Sequence, residues 1–354
     1  MRRVGPFLLL AACAVHPGAG DDTQPDDDSG DGQDASTDDV TQPQDDAQSP
    51  QSDSGTTTQQ STNVSIIVEP DGKSGAEVVS AINAAKTSVH MTMYMLSNSD
   101  VISALISRHK AGVDVKVLLD SSSQTSNGSV YSQLKSAGVG VAWSSTQFTF
   151  THEKCVLIDG KTAWIMTMNL TQSSPDANRE YLAIDTTPAD VTEAEAIFQG
   201  DFAGKPPASV SGPLVVAPIN AVTSIVNLIA SAKTTIDVEA EELSDYHTAD
   251  ALKAALGRGV KVRVVLSDAT QTSSGQAAVA EVKGAGGKLV TVSTPYIHAK
   301  TLVVDGATAY VGSENFSTGS LQYNRELGVI FSIASEVQKI TATISSDFSK
   351  GTAL

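Results

Sequence analysis

The sequence predicts an α/β protein made of two repeated α/β units, each a mixed sheet flanked by helices, packed as a pseudo-two-fold pair. Strand-like and helix-like stretches alternate, and the same order occurs twice. A set of His, Lys, Asn and Glu residues also recurs at a constant displacement of 146 positions. The runs between them are apolar and β-branched, as strands covered on both faces require.

The chain opens with Met1, Arg2 and Arg3, a short apolar stretch from Val4 to Leu10, and then Leu10, Ala11, Ala12 and Cys13. The last four resemble the lipobox of bacterial lipoprotein signals. Residues 1–13 are therefore read as a lipoprotein-type signal peptide with Cys13 as the lipidation site, giving an exported protein anchored to a membrane of the cell envelope. The alternative is a short secretory signal with a chance cysteine, since Gly5 and Pro6 interrupt the apolar stretch. Residues 14–62 are Asp, Gln, Ser, Thr, Gly and Pro with hardly an apolar side chain. Such a segment cannot offset its ordering entropy and reads as a disordered acidic tether spanning on the order of 35–40 Å.

That tether also explains the net charge. Twelve aspartates lie between Asp21 and Asp53 without a Lys or Arg, and Arg2 and Arg3 offset two of them, so residues 1–62 carry −10 of the total −17 and −7 is left for residues 63–354. A mildly acidic domain lacks the electrostatic footprint of a protein that grips long nucleic acid. With two cysteines there is no disulfide framework, and Cys155, inside an apolar run, reads as a buried small hydrophobe.

The first unit, residues 63–210, begins with a strand over Val64–Val68, a helix from Gly75 to Ala85 and a strand within Thr87–Leu96. A helix from Ile102 to a glycine cap at Gly112 follows, then a strand over Val115–Leu119. The second unit, residues 211–354, repeats this. Its strand at Pro213–Ala217 precedes a helix from Ala221 to Ala232, a strand within Thr234–Leu243, a helix from Ala249 to Gly259 and a strand over Val262–Leu266. A segment from Lys205 to Ser209 with two prolines links the units.

The recurring chemistry comes next in each unit. The first copy has His152, Lys154 and Asp159, then Met166, Thr167, Met168 and Asn169, then Asn178, Arg179 and Glu180. The second has His298, Lys300 and Asp305, then Gly312, Ser313, Glu314 and Asn315, then Asn324, Arg325 and Glu326. On a strand, His and Lys two apart point to one face. Two copies meeting at a pseudo-two-fold interface would gather two imidazoles, two ammonium groups and two amides. That set suits a phosphoryl group, whose transition-state charge is stabilised by fixed cations and hydrogen-bond donors. It has no metal-ligand pattern.

The pattern His-x-Lys-x4-Asp-x6-Gly-Ser-x-Asn, complete in the second copy and with Met-Thr in place of Gly-Ser in the first, resembles the paired signature of the phospholipase D superfamily, and the resemblance covers nearly all of residues 63–354. It implies that one motif histidine attacks phosphorus to form a phosphohistidine while the other protonates the leaving alcohol and then activates water or an acceptor. By analogy within the family His152 is the nucleophile and His298 the acid and base; the sequence itself does not assign them. The resemblance further implies that Lys154, Lys300, Asn169 and Asn315 bind phosphoryl oxygens, that Glu180 and Glu326 orient the histidines, and that no cofactor is needed. Asp159 and Asp305, next to Gly160 and Gly306, read as structural supports. Thr167 and Ser313 offer hydroxyls beside the site. The first copy departs from the family at Met166, where glycine is usual. Methionine there either narrows the half-site or packs beneath it.

Other polar residues are ambiguous. His90, Thr92 and Tyr94, with their counterparts Asp237, Glu239 and Glu241, either line the site floor or mark a strand end near solvent. His109, on a helix, and His247, in a loop, read as surface residues.

The function expected from these readings is a metal-independent phosphodiesterase: a phospholipase D that hydrolyses or transphosphatidylates phospholipids at a membrane surface. The alternatives are a nuclease of the same superfamily, which the charge disfavours, a cardiolipin synthase-like phosphatidyltransferase, and a non-catalytic envelope binding module, which the intact motifs oppose. Both motifs lie in one chain, so a monomer suffices for a complete site.

Overall fold

Residues 60–267 and 273–354 are described by the computed structural model. Cys13, the signal-like segment and nearly all of the acidic tether lie outside the described residues. The first repeat runs β1 (Val64–Glu69), α1 (Ala76–Ala84), β2 (Ser88–Met93), α2 (Ser99–Lys110), β3 (Asp114–Leu119), α3 (Gln124–Ser136), β4 (Gly140–Trp143), β5 (Lys154–Ile158), β6 (Thr162–Met166), α4 (Ser174–Ala177), β7 (Asn178–Asp185) and α5 (Pro188–Phe202). The second runs β8 (Val215–Ala217), α6 (Ala221–Ala230), β9 (Thr235–Ala240), α7 (Tyr246–Gly257), β10 (Lys261–Ser267), α8 (Ser273–Gly284), β11 (Lys288–Val292), β12 (Tyr296–Ile297), β13 (Lys300–Val304), β14 (Thr308–Gly312), α9 (Thr318–Gln322), β15 (Glu326–Phe331), α10 (Ala334–Lys350) and β16 (Thr352–Ala353).

The two sheets share one strand order. The first is β1-β7-β6-β5-β2-β3-β4; the second is β8-β15-β14-β13-β9-β10-β11 with β16 added at its edge. In each, three successive strands are parallel, β2-β3-β4 and β9-β10-β11, and the next three are antiparallel, β5-β6-β7 and β13-β14-β15. That is the expected mixed α/β sheet, twice.

Strand alternation builds three cores. In β5, Cys155 and Leu157 face a central layer, while Val156 and Ile158 face an outer one with Val101, Leu105 and Leu134 of α2 and α3. In β13, Val303 faces the central layer, while Leu302 and Val304 pack outward with Ile225, Leu252 and Val282 of α6, α7 and α8. Each sheet is thus covered on both faces, so its strands carry continuous apolar runs. The central layer also takes Phe198 of α5 and Ile340 and Ile344 of α10, and so joins the repeats into one body.

Two helices start earlier than their apolar periodicity predicts. The Asn98 side chain accepts from the amides of Asp100 and Val101 at 3.0 and 3.1 Å, so α2 begins at Ser99 and not at Ile102. Asp245 accepts from the Thr248 amide at 2.8 Å, so α7 begins at Tyr246 and not at Ala249. Side-chain caps supply partners for first-turn amides without any apolar residue. His247 accordingly sits in the first turn of α7, not in a loop.

The repeats exchange partners across their interface. Tyr296 and Ile297 pair in parallel with Asn178 and Arg179, and Thr151 pairs with Arg325 in the mirrored position. Arg179 Nε donates to Asp347 at 2.6 Å, and Arg325 Nη2 to Asp201 at 3.1 Å. Each arginine precedes an orienting glutamate, so these swapped pairs set where the motif segments of opposite halves meet.

Candidate active site

His152 and His298 each lie two residues ahead of the lysine that opens β5 or β13. Each is held from the opposite repeat. Nδ1 of His152 lies 2.9 Å from Oε1 of Glu326, and Nδ1 of His298 lies 2.7 Å from Oε1 of Glu180. Both imidazoles are 1% exposed, and both carboxylates are buried. A carboxylate on Nδ1 fixes the ring and leaves Nε2 for chemistry. Burial works to raise the pKa of Glu326, but His152, Lys154 and Ser313 together outweigh it and hold the carboxyl below its ordinary value.

The hydroxyls flanking the motifs support these carboxylates. Thr167 Oγ1 donates to Glu180 and accepts from the Tyr181 amide at 2.9 Å. Ser313 hydrogen-bonds Glu326, and its oxygen accepts from the Leu327 amide at 3.1 Å. Threonine in the first copy therefore keeps the serine's bonds. Asn178 and Asn324 each donate to their glutamate at 3.2 Å, and Ser320 adds a donor to Glu326 at 2.6 Å.

Met166 does not narrow the site. It packs in the outer core beside Trp164, Met168 and Leu182. At Gly312 a side chain is excluded, because a Cβ would lie 2.2 Å from the Tyr310 hydroxyl and 2.3 Å from Glu314. The residues at those places in the first repeat are the apolar Trp164 and Met168. Glycine in one copy and methionine in the other follow from what covers them.

Lys154 and Lys300 are buried, and each donates to the carbonyl of its own motif histidine, at 2.7 and 2.8 Å. Asn169 and Asn315 are buried too. Neither amide atom of Asn169, nor Oδ1 of Asn315, has a hydrogen-bond partner among the described residues. Buried amide atoms without partners are costly; a ligand oxygen would satisfy the Asn169 Nδ2 donor, and a ligand hydroxyl can donate to an Oδ1 acceptor.

Asp159 and Asp305 do not join this group. Each accepts from three backbone amides at the start of the neighbouring strand of its own repeat, β2 or β9: Lys86, Thr87 and Ser88 for Asp159, and Lys233, Thr234 and Thr235 for Asp305. Burial would raise their pKa values, but these bonds win and hold both at about 2. Both have positive φ, 57° and 54°, in the turns after β5 and β13.

Of the alternating polar residues, only the last of each set reaches the site. The Tyr94 ring lies 4.6 Å from His152, edge-on, and 5.1 Å from the Lys154 ammonium. Glu241 accepts from Lys300 at 2.8 Å and from the Tyr296 hydroxyl at 2.8 Å. His90 instead bonds Glu195 at 2.7 Å and stacks on Phe198, and Glu239 accepts from the buried Tyr181 hydroxyl. Asp237 pairs with Arg263. Cys155 is buried and its thiol is pushed well above its ordinary pKa by burial.

Elsewhere, Glu69, Asp71 and Glu77 bring carboxylate oxygens within 4.8 Å of one another. The Lys73 ammonium already bridges Asp71 and Glu77 at 2.8 and 2.6 Å. No helix of the described residues is long and apolar enough to cross a membrane.

Comparison with known proteins bears on the family and the fold. The family model described as cardiolipin synthase, PLD-like domain matches twice, over residues 78–202 and 225–349. The mitochondrial cardiolipin hydrolase of Danio rerio is 30% identical over 119 residues, 34% of this chain and 51% of that protein. The major cardiolipin synthase of Bacillus subtilis (strain 168) is 23% identical over 330 residues, 80% of this chain and 68% of that one. The chain thus spans about half to two thirds of the length of these relatives. The crystal structure of phosphatidylserine synthase from Haemophilus influenzae Rd KW20 superposes with a TM-score of 0.61 at 12% identity, covering 82% of this chain and 87% of that one. At that identity the likeness concerns the fold.

Proposed function

Since the chain belongs to the phospholipase D superfamily, as an enzyme of its phosphodiesterase and phosphatidyltransferase type, we propose that it transfers phosphatidyl groups between alcohols by double displacement, as a cardiolipin synthase-like enzyme. The observation that carries the phosphoryl chemistry is the pair of buried histidines, each with a glutamate of the opposite repeat within 3 Å of Nδ1, beside two buried lysines and the unpartnered amide atoms of Asn169 and Asn315.

In the first step Nε2 of His152 attacks phosphorus, the bond to the leaving alcohol breaks, and His298 gives that alcohol its proton. Lys154, Lys300, Asn169 and Asn315 hold the non-bridging oxygens as charge builds on them. In the second step an acceptor hydroxyl loses its proton to His298 and attacks phosphorus, and the phosphorus–nitrogen bond to His152 breaks. The atoms balance, and no other reactant enters.

Transfer is preferred over hydrolysis on two grounds. The relative aligned over most of this chain is a synthase. Both histidines are nearly sealed from bulk water, so a bound alcohol competes well for the intermediate. Hydrolysis is the second reading, favoured by the 30% identity to a cardiolipin hydrolase. We also propose that the substrate is met at a membrane surface by an exported, lipid-anchored monomer, in keeping with Cys13 and the acidic tether.

The test is product analysis on phosphatidylglycerol vesicles with chelator present, with plasmid DNA in parallel. Cardiolipin with free glycerol supports transfer, phosphatidic acid alone supports hydrolysis, and DNA cleavage without lipid turnover overturns both.

A further inference from the structure

Among the described residues, the large apolar side chains left exposed are Tyr246, at 59%, and Tyr323, at 57%. Scattered exposed rings need no explanation, but these two are not scattered. Tyr246 opens α7, and Tyr323 follows the last residue of α9. The two helix ends are tied together. Thr318 of α9 donates to the α7 cap Asp245 at 3.2 Å, and Nε2 of Gln322 lies 3.5 Å from Nδ1 of His247. The amides of Ser244 and Asp245 both donate to the carbonyl of Phe316 at 2.8 Å, and Phe316 follows the motif residue Asn315.

This rim adjoins the site. Tyr323 precedes Asn324, which donates to Glu326, the carboxylate beside His152. The Tyr323 carbonyl accepts from the Thr149 amide at 3.0 Å. Thr149 stands between the partly buried Phe148 and Phe150. Phe150 meets Tyr94 edge-on at 6.0 Å, and Tyr94 meets His152 at 4.6 Å. Aromatic side chains thus lead from an exposed rim to a motif histidine that is itself 1% exposed.

We propose that Tyr246 and Tyr323 form a docking rim that sets this side of the site against the headgroup layer of a lipid surface. This deepens the lipid reading above and rests on it. A tyrosine ring suits that layer, because its apolar body enters the acyl boundary while its hydroxyl stays wet. Net charge works the other way: residues 63–354 carry −7, which opposes an anionic surface. The attraction therefore falls to the rings, and added salt, which screens the repulsion, does not weaken it.

The experiment uses the full chain with Cys13→Ser throughout, so that no acyl anchor contributes, and measures its sedimentation with phosphatidylglycerol vesicles. Replacing both rings, Tyr246→Ser with Tyr323→Ser, should weaken partition by about 10-fold or more. Tyr246→Trp with Tyr323→Trp should match or exceed the parent chain. Raising salt from about 0.1 to about 0.5 M should leave the parent's partition equal or stronger. Turnover of a water-soluble alkyl p-nitrophenyl phosphodiester should stay within about 2-fold in both pairs of variants.

Unchanged partition in the serine pair overturns the proposal, as does parent partition that salt abolishes. A loss on the soluble diester as large as that on vesicles also overturns it, since that is how a merely structural pair behaves. A dimer of the parent chain that the serine pair loses assigns the rings to a second copy and overturns it likewise. The lipid reading fails separately. Vesicle binding that needs the rings, with no phospholipid turned over, supports the rim and removes that reading. Turnover of short-chain phosphatidylglycerol as dissolved monomers, without vesicle binding, keeps the reading and overturns the rim.

Discussion

Oε1 of Glu326 lies 2.9 Å from Nδ1 of His152, although 174 positions separate the two in sequence and they belong to different repeats. The mirrored pair, Glu180 and His298, stands at 2.7 Å. Neither repeat by itself supplies both a motif histidine and the carboxylate beside it. Each lends its glutamate to the other, so activity depends on the interface as much as on the motifs.

Glu326→Gln should therefore disable the histidine of the first repeat. Loss of the carboxylate removes the group that orients the ring, and comparable losses of an orienting acid cost about 10²–10⁴ in kcat. Unchanged circular dichroism with a fall in that range is the expected result.

Asp159 and Asp305 should matter to stability and not to chemistry. Asp159→Asn or Asp305→Asn weakens the acceptor for several backbone amides at once, at a cost of about 1–3 kcal/mol. Urea unfolding is expected to show that loss, with kcat unchanged well below the midpoint. Their pKa values are held at about 2 in the folded chain, below the unfolded carboxylate. Their contribution is thus full above pH ~4 and lost as pH falls through about 2. The gap between wild type and variant should close on that acid side.

Glu153 has the opposite sign. It is buried beside Asp201, Arg325 and Glu326, and burial, reinforced by Asp201, pushes its pKa up to about 8. Relative to an always-neutral group it costs nothing below the unfolded value of about 4.5, and it destabilises the fold increasingly as pH rises from there through about 8. Glu153→Gln should thus gain about 3–6 °C in melting temperature on wild type between pH 5 and pH 9, read by thermal melts across that range.

The repeats should not tolerate exchange of their glycine and methionine. Gly312→Met drives a side chain into Tyr310 and Glu314, and overpacking of this kind costs about 1–3 kcal/mol or more. Met166→Gly empties a buried position in the outer core, at about 2–5 kcal/mol. Both variants should lose stability in chemical denaturation.

Much of this was legible in the sequence because repetition removes ambiguity. His152, Lys154 and Asn169 recur as His298, Lys300 and Asn315, and alternation within β5 and β13 dictates covered strands. The crossing of partners was not legible. Sequence order associates Glu180 with its own motif, and only the packing of β7 against β12 carries it to the other one. One signal was available: Asp201 and Asp347 stand at the same displacement as the motifs and anchor the opposite arginines. The starts of α2 and α7 were missed because Asn98 and Asp245 cap ahead of any apolar residue. Along β2 and β9, polar alternation showed which residues share a face but not how far the site extends, so Tyr94 and Glu241 could not be told from His90 and Asp237.

The most direct test of a single site shared by both repeats is turnover of one phosphodiester by His152→Ala, His298→Ala and a mixture of the two. Each variant is expected to fall by at least about 10³-fold with its melting temperature retained, and mixing to restore nothing, because both histidines and both glutamates must come from one chain. Retention of more than about a tenth of wild-type activity by either variant would contradict the account.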